Sequence, residues 1–551
     1  MANSVYMLIF LIVAVYLVVL FDGYYRASKY NAGVNHLVRE NFGKRASEQS
    51  LQDDKLRELY DVLGSMGEGD VDDITFDDLE LLRLFKTLNH CDTNAGEHVL
   101  YRMLRSQHFD LAYHKALLAK LSAIEGDANL LALKVELRKL GYSKRSLVPL
   151  LRDGVDLRLV KDYKLPVQVM GWAIVPLLIV SVFNPFLLLF VPFLLGTNCY
   201  LNYQMNKKQA ANLLDFNALS AHFKVFKKLN AVPVAGLEEE FQELNRLFKD
   251  LAFYHKALSR IGFSAAATEA EALGKMLDII FLISSRRFFK LADRLNRDKD
   301  KLMAYYHVIG MIDAYLALVS YKISENLTAV HFDGTFKGED LRHPLLGREQ
   351  VNQSFDFTGC DILLTGSNAS GKSTFLRTVG ISQIFANAFS MAHGTLSTKP
   401  MPVLSAIDIS DSLAQNMSYF MKETAAIKRM VDVSGDKLLL LDEIFKGTNT
   451  IDRISAAYAT LSYLQEDAVV LAATHDIELT TMLQTFTNYH FEEAVADDDI
   501  YFDYRLKDGP ATSRNAIRIL ELFDYPTTIT ETARDLAKHL EARSAARTAR
   551  I

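Results

Sequence analysis

The sequence predicts a mostly helical N-terminal region that carries membrane-spanning helices, followed by a C-terminal α/β domain built on a parallel sheet. Two observations indicate this division. Up to about residue 328, long stretches carry apolar residues at helical spacing, and two long apolar runs interrupt them. From residue 329 onward, short apolar strands alternate with turns and helices, which is typical of a parallel sheet. A chain of 551 residues is long enough for two to four domains.

The composition excludes some classes of protein. The formal net charge is −6, so no overall basic excess indicates a protein that coats DNA by charge alone, although a local basic patch remains compatible. Cys91, Cys199 and Cys360 lie far apart and show no C-x-x-C spacing. The cysteines therefore predict neither a structural zinc site nor a disulfide framework, and they fit a reducing compartment.

The first apolar run lies at the N-terminus. Residues Val5 to Phe21 carry no charge, and their number is sufficient for one membrane-spanning helix. We predict a retained anchor within residues 1–30. A cleaved signal peptide is the alternative, but the N-terminal MANS has no basic residue and no small-residue cleavage site follows the run.

The second apolar run covers residues 165–203 and is broken at Asn184-Pro185, which favours two short spans forming a transmembrane hairpin. Basic residues precede it, follow it, and also follow the first run: Lys161, Lys164, Lys207, Lys208, Arg26 and Lys29. This charge pattern predicts a multi-pass protein of the cell (inner) membrane with its remaining domains in the cytoplasm. The alternative is a helical hairpin buried in a soluble core, and the sequence leaves open whether the hairpin crosses the bilayer or lies shallowly in it.

The regions on either side of the hairpin are predicted to be helical. Residues 31–164 form the first part of a helical core, and residues 204–328 form its second part, a core or lever region. Apolar residues at helical spacing predict helices over Leu79–Leu104, with a polar turn near Cys91–Asn94, and over Leu237–Leu258 and Ala272–Leu295. The basic residues between 286 and 301 are mixed with aspartates, which is typical of a solvated helix face; contact with lipid headgroups or nucleic acid is the alternative.

The C-terminal domain covers residues 329–540 and is followed by a short tail, 541–551. Three apolar segments predict strands: Ile362–Thr365, Lys437–Leu441 and Val469–Ala473. The sequence GSNASGKST, from Gly366 to Thr374, follows the first strand and precedes a run with helical spacing. It fits G-x-x-x-x-G-K-[ST], a loop that wraps nucleotide phosphates between a strand and a helix. The predicted fold class is therefore an α/β P-loop NTPase domain preceded by an all-α region.

This loop predicts ATP and Mg²⁺ as cofactors. Its backbone N–H groups are expected to face the phosphates, Lys372 to reach the outer phosphates, and Ser373 to hold Mg²⁺. The predicted nucleotide-binding residues are Gly366, Ser367, Asn368, Ala369, Ser370, Gly371, Lys372, Ser373 and Thr374.

The other two strands end in polar residues suited to phosphoryl transfer. KLLLLDE ends in Asp442, which suits a role beside Mg²⁺, and in Glu443, which suits polarising the attacking water. AATHD ends the next strand, and His475 there suits sensing the γ-phosphate. We therefore predict Glu443, His475 and Lys372 as catalytic residues and Ser373 and Asp442 as metal-binding residues. A solvated strand end and a structural histidine are the alternatives.

The order of these motifs resembles the MutS branch of the ABC-type ATPases. The segment 411–423, DSLAQNMSYFMKE, is similar to that family's signature segment and has Ser418 at the position that reaches the partner subunit's γ-phosphate. The segment 447–452, GTNTID, resembles the loop that crosses to the partner, through Asn449 and Asp452. The segment Arg342–Leu346 is similar to the family's entry to the ATPase domain. The segment Cys91–Gly96 is similar to the T-x-x-G start of the family's helical core.

The resemblance implies an ATPase that forms a homodimer with composite ATP sites. Together with the predicted membrane spans, it indicates a membrane-anchored ATPase in which ATP binding closes the dimer and the helical arms transmit the change. In the signature segment, Asn416 and Met417 stand where the family usually has glycine and arginine. Near the C-terminus, residues 511–515 keep the family's serine-aromatic-glycine stretch only in part. The sequence before the core shows no counterpart of the mismatch-recognition domain. DNA mismatch repair, or binding of mismatched or branched DNA, is the first alternative, so nucleic acid stays open as a partner. An ABC-type transport ATPase is a weaker alternative, because the thin predicted spans carry few polar groups for a substrate pathway.

Overall fold

The computed structural model describes residues 2–44, 52–142, 146–158, 160–258, 276–347, 349–367, 370–408, 419–496, 499–511, 520, 523 and 525–548, with the backbone alone for residues 2–20, 27, 209–213, 256, 494–496, 499–500 and 538–548. The chain forms two compact units. The helical unit comprises Met1–Ser65, Phe85–Met103 and Ala116–Glu325, and the C-terminal unit comprises Met66–Leu84, Leu104–Lys115 and Asn326–Ile551. The sequence boundaries assign 66–84 and 104–115 to the first helical part, whereas in the structure both segments pack within the C-terminal unit.

The region before residue 326 is almost entirely helical, as its apolar spacing predicts. The α-helices there are α1 (Ala2–Asn41), α2 (Asp53–Leu56), α3 (Glu58–Leu63), α4 (Asp73–Asp78), α5 (Leu81–Leu88), α6 (Asn94–Arg105), α7 (Leu111–Glu125), α8 (Leu130–Leu140), α9 (Val148–Asp153), α10 (Lys164–Ser181), α11 (Val191–Leu229), α12 (Glu238–Asp250), α13 (Ala252–Leu258) and α14 (Ile283–Glu325). Two predicted stretches are interrupted. The stretch 237–258 divides at Leu251, and 272–295 divides at Leu282, whose φ of 49° lies in the left-handed region; residues 272–275 lie outside the described part.

The helix α1 covers the predicted N-terminal span. Its C-terminal half packs against α8, where Val34 and Val38 form a small buried cluster with Val135. The side chains of residues 2–20 are not among those described, so the N-terminal anchor stays a prediction.

The predicted hairpin is a pair of helical arms, α10 and α11, joined through a 3₁₀ segment at Pro185–Phe190. Within the described residues, Lys161–Ser181 and Pro185–Lys208 are long and apolar enough to cross a membrane by length and composition. In each arm, only 22% of the most apolar stretch of 18 residues is buried, so the arms expose most of their apolar surface. Ile283–Glu325 meets the same criterion, but 78% of its most apolar stretch is buried, as expected for a core helix.

A buried charged cluster joins α14 to the start of α6. The carboxylate of Asp313 accepts hydrogen bonds from the backbone N–H groups of Asp92 (3.0 Å) and Thr93 (2.8 Å) and from the Thr93 hydroxyl (2.7 Å). The ammonium group of Lys134 lies 2.9 Å from Asp92 and 3.5 Å from Asp313. A Cβ at Gly96 would lie 2.3 Å from the Asp313 carboxylate, which explains why the T-x-x-G segment needs glycine there.

The C-terminal unit is built around a six-stranded sheet that is parallel except for one edge strand. The predicted strand at 469–473 has the expected bounds, and the other two differ by one residue at their ends. The strands of the described residues are β1 (Gly69–Asp70), β2 (Ser106–Gln107), β3 (Thr328–Ala329), β4 (His331–Phe332), β5 (Lys337–Leu341), β6 (Gln353–Asp356), β7 (Asp361–Thr365), β8 (Met391–Ala392), β9 (Thr395–Thr398), β10 (Val403–Ala406), β11 (Leu438–Asp442), β12 (Val469–Ala473), β13 (Phe486–His490), β14 (Glu493–Ala496), β15 (Asp499–Phe502) and β16 (Lys507–Asp508). The order of the six-stranded sheet is β10-β11-β12-β7-β13-β16, with β16 as the antiparallel edge strand.

Helices cover this sheet. They are α15 (Lys372–Phe389), α16 (Tyr419–Asp432), α17 (Thr450–Leu464) and α18 (Ile477–Met482). A further helix, α19 (Thr527–Thr548), follows the last strand along the chain. The segment 66–84 packs on the edge strand β10, because the buried carboxylate of Asp78 accepts hydrogen bonds from the Ser405 hydroxyl (2.6 Å) and the Ile407 N–H (2.9 Å). This long-range contact makes α4 part of the C-terminal unit.

Candidate nucleotide-binding site

Three predicted motifs meet at one edge of the sheet. The strands β7, β12 and β11 are neighbours and run parallel, so their carboxyl ends lie side by side. The phosphate loop follows β7, Asp442 ends β11 with Glu443 directly after it, and His475 follows β12. Ligands of open α/β sheets bind at such carboxyl ends, so the topology places the predicted residues at a ligand-binding edge.

Two glycines shape the phosphate loop. Gly366 has a φ of 131° and Gly371 a φ of 107°, values that side-chain-bearing residues rarely adopt. The helix α15 begins at Lys372, so the loop and the helix N-terminus present backbone N–H groups at the same place. Asn368 and Ala369 lie outside the described residues, and Thr374 lies in the first turn of α15.

Replacing Gly366 with alanine is expected to lower the free energy of unfolding of the C-terminal unit by about 2–4 kcal/mol and to weaken ATP binding. A Cβ there would meet the carbonyl oxygen of Phe491 at 2.4 Å, in addition to the strain of a positive φ. Gly334→Ala is the matched control, because Gly334 has a φ of 83° with nothing within 4 Å. Denaturant unfolding should give the control a loss of only about 1–2 kcal/mol. Equal losses in both variants would show that the contact with Phe491 contributes nothing.

The side chain of Lys372 is buried within the loop. Its ammonium group donates hydrogen bonds to the carbonyl oxygens of Gly366 (2.6 Å) and Ser367 (2.7 Å). Burial lowers the pKa of Lys372, and the nearby carboxylates of Asp442 and Glu443 oppose this effect. The lysine is therefore held inside the loop that the motif predicts to enclose nucleotide phosphates.

Ser373 and Asp442 are in direct contact, since the serine hydroxyl donates a short hydrogen bond to Oδ2 of Asp442. Burial raises the pKa of Asp442, and the contact with Ser373 opposes the increase. Among the described residues, no hydrogen-bond partner reaches the buried Oδ1 of Asp442. A hydroxyl and a carboxylate with an unused oxygen fit Mg²⁺, which binds through one or two protein oxygens, phosphate oxygens and water.

The Glu443 carboxylate lies between the side chains of His475 and Lys446. Its oxygens are 2.6 Å from Nε2 of His475 and 2.8 Å from Nζ of Lys446. Burial alone would raise the pKa of Glu443, but the contacts with His475 and Lys446 outweigh it and lower the pKa to about 2. The backbone of Glu443 has a φ of 54°, and that of Phe445 has a φ of 61°. Such strained conformations cluster at functional turns, where the surrounding structure imposes them.

The turn after His475 is tied to the helix α17. The guanidinium of Arg453 donates two hydrogen bonds to the Asp476 carboxylate, at 2.9 and 2.6 Å. Asn449 caps the N-terminus of α17 by accepting a hydrogen bond from the Asp452 N–H at 3.0 Å. Asn449 and Asp452 are exposed, and their predicted contact with a partner subunit stays a prediction. Ser418 lies outside the described residues.

Sequence reasoning missed several residues of this site. Lys446 pairs with Glu443, and the Ser367 hydroxyl donates a short hydrogen bond to the buried Glu493. The buried Glu423, on α16, accepts hydrogen bonds from the backbone N–H groups of Lys446 (3.0 Å) and Gly447 (3.4 Å). The position of Lys446, three residues after Glu443, was a signal for the first contact, whereas Glu493 and Glu423 approach only through the tertiary fold.

A cavity of about 570 Å³ adjoins the phosphate loop. Its lining includes Gly371 and Ser373 of the loop, together with His343, Gln353 and Tyr504. Tyr504 packs close to Gly371, and its carbonyl oxygen accepts a hydrogen bond of 2.7 Å from the Gln353 side chain. The volume falls within the range of small-molecule sites, so the loop opens onto space for a bound organic group.

Comparison with known proteins identifies related sequences over the same region. The family described as MutS domain V matches residues 362–541. A DNA mismatch repair protein MutS 2 of Haloarcula marismortui is 29% identical over 340 residues, which is 57% of this chain and 35% of that protein. A DNA mismatch repair protein MutS of Listeria innocua is 31% identical over 225 residues, 38% of this chain and 26% of that protein. A DNA mismatch repair protein MutS of Thermus thermophilus is 27% identical over 263 residues, 46% of this chain and 32% of that protein.

The alignments span only about a quarter to a third of the length of these curated relatives. The matched family covers the sheet from β7 onward and includes every predicted nucleotide-binding and catalytic residue. Domain V is an ATPase domain with a P-loop-type fold, and here a helical region precedes it. Residues 362–541 therefore belong to the family described as MutS domain V.

Proposed function

We propose that this protein is an ATPase that binds Mg²⁺ and ATP at the carboxyl edge of its sheet and is attached to a membrane. The observation that carries the ATPase activity is the convergence of Lys372, the Ser373–Asp442 pair and the Glu443–His475 pair at the ends of three adjacent strands. Phosphoryl transfer requires positioning and charge stabilisation more than covalent chemistry, and these groups supply both.

Each residue has a defined task in this proposal. Lys372 binds the outer phosphates, and the N–H groups of the loop hold the remaining phosphate oxygens. Ser373 and Asp442 would hold Mg²⁺, which would neutralise charge on the phosphates. Glu443 orients the attacking water, and His475 keeps the Glu443 carboxylate in place from 2.6 Å. The cavity next to Gly371 accommodates the base and ribose of the nucleotide.

Dimerisation and membrane attachment extend this proposal. The resemblance supports a homodimer in which Ser418, Asn449 and Asp452 of one subunit complete the ATP site of the other. ATP binding then favours the closed dimer, and hydrolysis releases it, which is a population shift set by the affinity of ATP for the two states. The exposed apolar hairpin and the helix α1 support attachment to the inner membrane with the ATPase domain in the cytoplasm.

Replacing Ser373 with alanine is expected to raise the Mg²⁺ concentration that gives half-maximal ATP hydrolysis by about tenfold. The variant loses one oxygen of the metal site while Asp442 remains. The test is a Mg²⁺ titration of ATP hydrolysis by the purified full chain, with EDTA as the zero point. Ser455→Ala, at an exposed serine on α17, is the control and should behave like the parent. If the parent hydrolyses no ATP, the proposed activity is wrong, and if Ser373→Ala titrates like the parent, the metal role of Ser373 is wrong.

DNA binding is the second candidate function, and the names of the MutS relatives favour it. Because affinity for the phosphate backbone depends on counterion release, true DNA binding should fall steeply as salt increases. Titration of labelled duplex, mismatched and branched DNA at several salt concentrations tests it. No binding at low salt to any of the three would dismiss this candidate.

A further inference from the structure

The hairpin is fixed to the helical unit for only part of its length. The Asn198 amide donates hydrogen bonds to the carbonyl oxygens of Met170 (3.3 Å) and Ile280 (2.7 Å). At the same level, a Cβ on Gly171 would lie 2.6 Å from the carbonyl oxygen of Phe281. The arms α10 and α11 are therefore packed against the corner that precedes α14 up to about Gly171 and Asn198.

Charged side chains lie close to the end of this packed part of the hairpin, near Gly171 and Asn198. The guanidinium of Arg286 lies 4.2 Å from the ring centroid of Trp172, and the neighbouring Arg287 and Lys290 are exposed. Further from the tip, Lys164 pairs with Asp293 at 2.7 Å. Because charged groups are costly in hydrocarbon, a membrane that receives the hairpin has its headgroups, not its acyl chains, at the level of Arg286.

Little of α10 extends beyond this level. The helix rises about 14 Å between Trp172 and Ser181, whereas the hydrocarbon core of a bilayer is about 30 Å thick. The tip of the hairpin, between α10 and α11, is also too apolar to lie in water on the far side of a bilayer. Phe183 and Phe186 are 85% and 79% exposed, and residues 173–196 carry no charge.

We propose that the hairpin enters one leaflet only, from the side of Arg286, and that its tip lies near the bilayer midplane. This inference rests on the membrane attachment proposed above and specifies its geometry. The occupant of the apolar surface is the acyl-chain region of a phospholipid bilayer, while Arg286, Arg287 and Lys290 face the phosphate groups.

The test uses Trp172, which is the only tryptophan of the chain. The full-length protein is reconstituted into phosphatidylcholine–phosphatidylglycerol vesicles containing lipids with a nitroxide near the headgroup or near the chain terminus. Fluorescence of Trp172 should be lost more strongly with the shallow nitroxide. A Phe183→Trp, Trp172→Phe variant should show the reverse order, with greater loss from the deep nitroxide.

A hairpin that crosses the bilayer would invert both results, because Trp172 would lie near the midplane and residue 183 near the far headgroups. That inversion, or the absence of lipid quenching at both positions in vesicle-bound protein, would overturn the one-leaflet proposal. Tyr463→Trp in the Trp172→Phe background is the control for an exposed residue of the ATPase domain and should respond to neither nitroxide lipid. Flotation of the vesicles separates the two hypotheses, since protein that fails to float would refute membrane attachment itself.

Discussion

Replacing Glu443 with glutamine is expected to lower the kcat of ATP hydrolysis by about 100- to 10,000-fold while leaving ATP binding intact. Glutamine keeps the size of the side chain but removes the charge that orients the attacking water. The contact at 2.8 Å to Lys446 also loses its ionic character, and the contact at 2.6 Å to His475 no longer involves a carboxylate. Single-turnover hydrolysis and nucleotide-binding measurements on the purified full chain separate the two effects. The variant should also accumulate the ATP-bound dimer in size-exclusion chromatography, because release requires hydrolysis.

Glu466→Gln is the matched control for this variant. Glu466 is exposed and precedes β12, so it lies at the amino edge of the sheet, away from the phosphate loop. The control should hydrolyse ATP at the parent rate. If Glu443→Gln also turns over at the parent rate, Glu443 has no catalytic role. If it loses ATP binding as well, the carboxylate supports the fold of the site more than the reaction.

The lowered pKa of Glu443 favours one way in which this carboxylate would act in the proposed reaction. A carboxyl group with a pKa of about 2 holds a proton poorly, so it orients water by accepting a hydrogen bond more readily than it removes a proton. Because the folded pKa lies below the ordinary value of 4.5, the ionised group stabilises the folded unit above about pH 4.5. That stabilisation is lost only as the pH falls toward 2. The ratio of parent to variant rates should therefore stay constant between about pH 5 and 8.

Local sequence patterns predict those parts of the site that are formed by residues adjacent in the sequence. The strand β12 has the predicted bounds, and the phosphate loop leads from β7 into α15, because a buried apolar strand and a glycine-rich loop leave few other arrangements. The same patterns do not predict Glu423, which binds the N–H groups of Lys446 and Gly447 from a different helix. Its role depends on tertiary packing rather than on neighbours in the sequence.

Long-range contacts also decide the limits of the units. The apolar spacing of residues 66–84 predicts helices but not what they pack against. Asp78 and Ser405 are separated by 327 positions, and their hydrogen bond of 2.6 Å assigns α4 to the ATPase domain. Likewise, the break at Leu282, with its φ of 49°, lies within a stretch of helical spacing and directly follows Phe281, whose carbonyl oxygen lies against Gly171 of the hairpin. A periodic pattern alone does not contain this information.

Replacing Asp313 with alanine is expected to lower the free energy of unfolding of the helical unit by about 3–5 kcal/mol. Asp313 is fully buried, and its carboxylate accepts hydrogen bonds from Asp92 and from both the N–H and the hydroxyl of Thr93. The alanine variant leaves these donors unsatisfied and leaves Lys134 with one fewer counter-charge. Pulse proteolysis of the detergent-solubilised protein over a denaturant series measures the loss. Asp300→Ala, at an exposed position of the same helix, should change the value by less than about 0.5 kcal/mol.

A Lys134→Met variant distinguishes a charged cluster from a set of neutral hydrogen bonds. Burial raises the pKa of Asp313, and Lys134 opposes this increase, so removal of the lysine raises the pKa further. An acid whose pKa is raised on folding takes up protons in the folded state, and the stability then falls as the pH rises. We therefore expect Lys134→Met to be least stable near pH 8 and to recover as the pH is lowered toward 5. In the Lys134→Met, Asp313→Asn double variant this dependence should largely disappear, because no buried carboxylate remains at position 313. If the single variant shows no dependence on pH, the charge on Asp313 is balanced without Lys134, and the T-x-x-G segment is held by its hydrogen bonds alone.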